Sequence, residues 1–188
     1  MPTLIAKGAT PLQREHLQWR TAVPGGRRLH CIVLDGSASM RRAGGLARAK
    51  GLADRLIADA AQAGDAVAVL GLNGQGVQWL LQARRARGAD TAGLQRFGTG
   101  GGTPLRLALA QAQAWLQQAS QRRAGTERWL WLLTDGRTLD TPARPTAAEH
   151  IVIVDFDDPR HPLGRAAAWA VPWGATHCAA AELDLQRR

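Results

Sequence analysis

The stretch Leu29-His30-Cys31-Ile32-Val33-Leu34-Asp35-Gly36-Ser37-Ala38-Ser39 decides the fold. Residues 29–34 (LHCIVL) form an almost unbroken apolar run that ends on a carboxylate and small polar residues. A run of this length, bounded by turn formers, reads as a strand covered on both faces, as in a parallel sheet. The chain after it alternates. Leu46, Ala49, Ala53, Leu56, Ile57 and Ala60 recur at helical spacing and predict a helix over 44–63. Gly64-Asp65 ends that helix and opens a second strand, AVAVLGL (66–72). Asn73-Gly74 is a hairpin-type turn. It leads into a third strand, Val77–Leu81, which should pair antiparallel with the second.

Further along, a short polar helix near 89–96 precedes the glycine-rich segment FGTGGGTPL (97–105). Leu105, Leu109, Ala112 and Leu116 predict a helix over 104–119. WLWLLT (129–134) and EHIVIVD (149–155) read as the fourth and fifth strands. A helix near 163–170 and a strand near 175–180 close the chain. Strands alternating with helices predict an α/β architecture: a doubly wound, mostly parallel central sheet flanked by helices, with one antiparallel edge strand. Residues 1–28, punctuated by Pro11, Pro24 and Gly25-Gly26, read as an N-terminal extension with a candidate edge strand at 16–20. Residues 29–188 read as one domain, a length that can enclose a sizeable core.

Composition narrows the function classes. Apolar residues make up 45% of the chain, so no disulfide or structural metal is needed for folding. No run reaches the roughly 18 apolar residues of a membrane span, and the N-terminus lacks a signal-peptide pattern. A cytoplasmic protein is the expectation. Cys31 and Cys178 are far apart and should be buried free thiols. The 24 basic and 15 acidic residues give a net charge of +9, nearly all of the positive charge from Arg. Such a surface attracts an acidic protein or RNA, but no nucleic-acid motif accompanies it, so nucleic acid is not the expected partner. With no Tyr and two Phe, a base-stacking platform is not expected.

In open α/β sheets, sites form beyond the carboxyl ends of strands, where the strand order reverses. Three segments meet that condition or lie beside it: Asp35–Ser39, Gly100–Thr103 and Thr134–Gly136. Their donors are carboxylates and hydroxyls, without nitrogen or sulfur, and that set suits a hard cation such as magnesium. Asp35, Ser37, Ser39, Thr103 and Asp135 are the candidate metal ligands. Asp135 would act directly or through water. Two carboxylates and three neutral hydroxyls would leave a bound magnesium electrophilic towards an incoming carboxylate. Each residue also has a structural reading. Ser37 or Ser39 could cap the following helix, Thr103 before Pro104 could cap the next one, and Asp135-Gly136 could be an ordinary turn. Their order along the fold favours the metal reading. Enzymatic patterns fit less well. GSASM lacks the last glycine of a nucleophile elbow, and GTGGGTPL lacks the Lys of a Walker A loop. Neither a catalytic residue nor an organic cofactor is expected. Metal-assisted phosphoester hydrolysis stands as a third reading.

At these residues the sequence resembles the metal-ion-dependent adhesion site (MIDAS) of the von Willebrand factor A (VWA) family: D-x-S-x-S, then a distant Thr, then a distant Asp. Asp35, Ser37, Ser39, Thr103 and Asp135 match position for position. CIVLDGSASM (31–40), residues 49–72, GTGGGTPL and WLLTDGR further resemble the C-terminal domain of the magnesium-chelatase D subunit and its cobalt-chelatase relatives. That similarity covers about residues 17–185. It differs in the first loop, where the relatives read D-A-S-G-S and Gly36 and Ala38 stand exchanged here. The resemblance implies a non-catalytic module binding Mg2+, with Mn2+ or Ca2+ as substitutes in vitro. It implies a protein partner that supplies an Asp or Glu, together with a separate AAA+ ATPase and a large chelatase subunit in cobalamin or porphyrin biosynthesis. An orphan VWA adapter binding an acidic protein or RNA through its Arg-rich surface is the alternative.

Overall fold

The computed structural model describes residues 28–85, 91–122 and 125–185. Six strands build one sheet: β1 (Arg28–Asp35), β2 (Ala66–Asn73), β3 (Gly76–Arg85), β4 (Glu127–Thr134), β5 (His150–Asp155) and β6 (Thr176–Ala179). Their order is β3-β2-β1-β4-β5-β6. β1 lies inside the sheet and pairs in parallel with both β2 and β4. β2 and β3 pair antiparallel across the expected hairpin, and the remaining neighbours are parallel. The helices are α1 (Gly45–Ala63), α2 (Ala92–Arg96), α3 (Leu105–Gln121), α4 (Arg165–Trp173) and α5 (Ala180–Leu185). A 3-10 turn over Ala38–Gly44 joins β1 to α1.

The period of the strands explains the layers. Along β1, Leu29, Cys31 and Val33 enter one core with Leu105, Leu109 and Leu116 of α3 and Trp169 and Trp173 of α4. Ile32 and Leu34 enter the opposite core with Leu46, Ala49, Ala53, Leu56 and Ile57 of α1. A strand with both faces covered has to be apolar at consecutive positions. The chain runs outward from β1 through α1 to β2. It later returns to the other side of β1 through α3 and β4. The order therefore reverses at β1, and the crevice beyond the carboxyl ends of β1 and β4 is the switch point.

Several boundaries differ from the sequence expectation. α4 continues to Trp173 although Pro172 falls inside it. Proline is tolerated there because it sits in the last turn, before Gly174 ends the helix at φ +58°. The sequence pattern predicts neither the 3-10 turn nor α5; both are short and carry little helical periodicity. The helix expected near 89–96 begins at Ala92, and its first two positions lie outside the described residues. The candidate edge strand at 16–20 also lies outside them. Among the described residues, no helix is long and apolar enough to cross a membrane.

Candidate metal centre

Asp35 is the last residue of β1 and is fully buried. Its carboxylate is held from two sides. Oδ1 accepts the Ser37 backbone N–H at 2.8 Å, and Oδ2 accepts the Thr134 hydroxyl at 2.6 Å. Thr134 is the last residue of β4, and its Oγ in turn accepts the Gly136 N–H at 3.0 Å. Burial pushes the Asp35 carboxyl above the usual carboxylate range. The bonds from Thr134 and Ser37 oppose that shift, and the negative charge of Asp135 adds to it. A buried carboxylate pressed by a second carboxylate is stabilised by a cation.

The hydroxyls are placed to help. Ser37 Oγ and Ser39 Oγ lie 3.0 Å apart. Neighbouring oxygens of an octahedral shell with metal–oxygen bonds of about 2.1 Å are also about 3 Å apart. The capping readings fail for all three hydroxyl residues. Ser37 makes no side-chain cap bond to the 3-10 turn, the cap of α1 is Gly44, and α3 is capped by Pro104 without a side-chain bond. Ser37, Ser39 and Thr103 instead line one cavity of about 440 Å³, together with Arg137 and Thr138. Asp135 is buried, and its Oδ1 accepts the Arg137 N–H at 3.0 Å. Gly136 adopts φ +68°, so the strand-end turn that is the structural alternative at Asp135-Gly136 is present. Among the described residues, no three His, Cys, Asp or Glu side chains come together as a metal cluster. The donor set that fits an ion is therefore this mixed one of carboxylate and hydroxyl oxygen, which suits a hard divalent cation.

Glycines bring these segments into register. Gly36 N–H donates to Leu72 O at 2.7 Å, Gly100 N–H to Gly36 O at 2.9 Å, and Ala38 N–H to Gly101 O at 3.1 Å. Gly74 N–H donates to Gly100 O at 2.6 Å. A Cβ at Gly36 would meet the Phe97 ring at 2.6 Å, whereas Ala38 is exposed in the 3-10 turn. That packing accounts for glycine at 36 and permits alanine at 38.

Sequence reasoning passes over three residues here. Thr134 orients Asp35. Arg137 donates through Nη2 to Asp157 Oδ1 at 2.9 Å and to the His161 carbonyl at 2.8 Å. Thr138 Oγ donates to Thr103 O at 3.4 Å. Thr134 and Arg137 flank Asp135-Gly136 in the T-D-G-R run, but their roles depend on which strands are neighbours. Elsewhere the bland expectations hold. Cys31 and Cys178 are buried in opposite cores and form no disulfide with each other, and burial pushes the Cys31 thiol up. His30 contacts Asp65 at 3.3 Å, and His177 contacts Asp155 at 3.0 Å.

A doubly wound α/β domain with an oxygen-lined centre at its switch point is the class that fold and site define. The chain belongs to the von Willebrand factor type A domain family, whose sequence model matches residues 31–137. It is 32% identical over 183 residues to the uncharacterized protein Rv2850c of Mycobacterium tuberculosis, a match covering 90% of this chain. This chain spans 29% of that relative's length. Among solved structures it is similar to the conserved hypothetical protein BatB of Bacteroides thetaiotaomicron. That pair has a TM-score of 0.66 and 17% identity, over 85% of this chain and 96% of the other. It is also similar to the manganese-loaded TRAP protein of Plasmodium vivax, with a TM-score of 0.52 and 14% identity over 86% of this chain and 72% of the other. At these identities the structural likenesses establish the fold alone.

Proposed function

We propose that this chain is a Mg2+-dependent protein-interaction module whose adhesion site is Asp35, Ser37, Ser39, Thr103 and Asp135. The observations that carry the reading are the buried Asp35 carboxylate, which accepts the Ser37 N–H, and the Ser37–Ser39 hydroxyl pair, which lines one cavity with Thr103. Bound magnesium would supply an electrophilic position for a partner's Asp or Glu. Asp35 and Asp135 would supply the negative charge, and Ser37, Ser39 and Thr103 the neutral oxygens. Thr134 and the Ser37 N–H hold Asp35 in place, so little reorganisation is needed on binding. A metal-loaded protein of this fold, the Plasmodium TRAP protein, supports a divalent ion here. The site holds a carboxylate and breaks no bond, so the module is non-catalytic.

The partner we propose is the large subunit of a magnesium- or cobalt-chelatase-type complex, with a separate AAA+ ATPase as motor. The support is the resemblance of CIVLDGSASM, GTGGGTPL and WLLTDGR to chelatase D-subunit domains. Immobilised chain should capture an AAA+ ATPase and a large chelatase-like subunit, identified by mass spectrometry, from extracts of its source cells. Capture should need magnesium and should vanish with chelator or with Asp35→Ala. Equal recovery under all three conditions would overturn the adhesion-site reading. Binding that ignores chelator but collapses with salt would favour an orphan adapter held by its Arg-rich surface to an acidic protein or RNA.

A further inference from the structure

The cavity that Ser37, Ser39 and Thr103 line is also lined by Leu139, a residue that is 95% exposed. A single exposed leucine is ordinary on a protein surface. This one is held out on a pinned turn. Thr138 N–H donates to Gly136 O at 2.9 Å, and Asp140 N–H donates to Thr138 Oγ at 3.1 Å. Asp140 Oδ2 accepts the N–H of Arg106, in the first turn of α3, at 3.2 Å. These bonds tie the turn on both sides of Leu139 to the start of α3. Arg137 and Asp140 also line the cavity, and another part of the rim is low. Ala38, Gly101 and Gly102 are exposed and offer nothing larger than a methyl group. Arg41, Arg42 and Arg106 are exposed on the flanking 3-10 turn and helix, in a chain of net charge +9.

We infer that this rim selects a protein segment in which the acidic residue aimed at the site has a large apolar neighbour that packs on Leu139. The inference rests on the adhesion-site reading above and names the partner chemistry for it. The low shelf of Ala38, Gly101 and Gly102 lets a partner's main chain come close enough for its carboxylate to enter the cavity. Leu139 then stands at the edge, where the next side chain falls. The surrounding arginines favour a segment with further acidic residues, mainly by steering it. A protein segment is preferred over RNA because, among the described residues, the rim offers an aliphatic contact and no aromatic side chain for stacking.

The test is a displayed heptapeptide library panned on the full chain with magnesium, with EDTA, and on Leu139→Ser with magnesium. Leu139 is solvated, so its replacement leaves the core intact; a circular dichroism melt checks this. The expected selection on the wild-type chain is Asp or Glu beside Leu, Ile, Met or Phe. On Leu139→Ser the acid should persist and the apolar preference disappear. Individual selected peptides should bind that variant about tenfold more weakly, the loss of one modest apolar contact. An apolar preference that is absent on the wild-type chain, or unchanged on Leu139→Ser, would overturn the inference, as would failure to select any peptide. Magnesium-dependent selection of acids without the apolar neighbour leaves the adhesion site standing and removes only the role of Leu139. Leu139-dependent selection that survives EDTA keeps that role and removes the metal.

Discussion

The hydroxyl of Thr134 donates to Oδ2 of Asp35 at 2.6 Å, joining the carboxyl ends of β4 and β1 where the strand order reverses. Thr134→Val keeps the shape and removes both the donor to Asp35 and the acceptor of the Gly136 N–H. The buried carboxylate then loses one of its two partners, a loss of about 1–3 kcal/mol. Urea denaturation of the metal-free variant should show it, and Thr134→Ser should recover most of it. Stability unchanged in Thr134→Val would mean that Asp35 is held by Ser37 alone.

Asp157 anchors the arginine that walls the cavity. Burial raises its carboxyl pKa, but the N–H groups of Leu163 and Gly164 and the Arg137 guanidinium outweigh burial and hold it below the usual range. The folded carboxyl therefore holds its proton less tightly than the unfolded one. Its contribution is full above the ordinary Asp value of about 3.9 and fades as pH falls through the lower folded value. Asp157→Asn should cost about 2 kcal/mol at neutral pH, and its deficit against wild type should close on acidification. Denaturant midpoints measured across a pH series check this. A deficit constant with pH would contradict it.

Gly74 and Gly101 touch backbone to backbone. A Cβ on Gly74 would sit 2.4 Å from Gly101 Cα, with no flexible side chain to yield. Gly74→Ala should displace the glycine-rich segment that carries Thr103, cost about 3 kcal/mol, and weaken magnesium binding. Gly51 is the contrast. It lies in α1, is exposed, and would carry a methyl group into open space, with nothing within 4 Å. Gly51→Ala should stabilise the chain by about 0.5–1 kcal/mol and leave metal binding alone. Thermal melts with and without magnesium separate the two effects.

The sheet was legible because its strands must be apolar on both faces. LHCIVL and WLWLLT carry that signal without help from their surroundings. The antiparallel β3 was legible from Asn73-Gly74. The five ligand candidates were visible as residue types; Asp35 ends β1 and Asp135 follows β4, whereas Thr103 stands just before α3. Their geometry was not legible. Thr134 is an ordinary strand residue until β1 and β4 are known to be neighbours. Arg137 is one of many arginines until Asp157, just past the end of β5, is seen to hold it. Gly36 and Ala38 look interchangeable in the sequence, and only the Phe97 ring against position 36 separates them. The short α5 and the 3-10 turn escaped because neither spans enough turns to show a helical period.

Calorimetric titration of the metal-free chain with magnesium chloride tests the central claim most directly. The account predicts one saturable site in the wild-type chain and none in Asp35→Asn. Asn can still meet the Ser37 N–H and the Thr134 hydroxyl, and it removes a buried charge that lies beside Asp135. The metal-free Asp35→Asn chain should therefore melt no lower than wild type, so lost binding cannot be put down to misfolding. No magnesium binding by the wild-type chain, or equal binding by Asp35→Asn, would contradict the account.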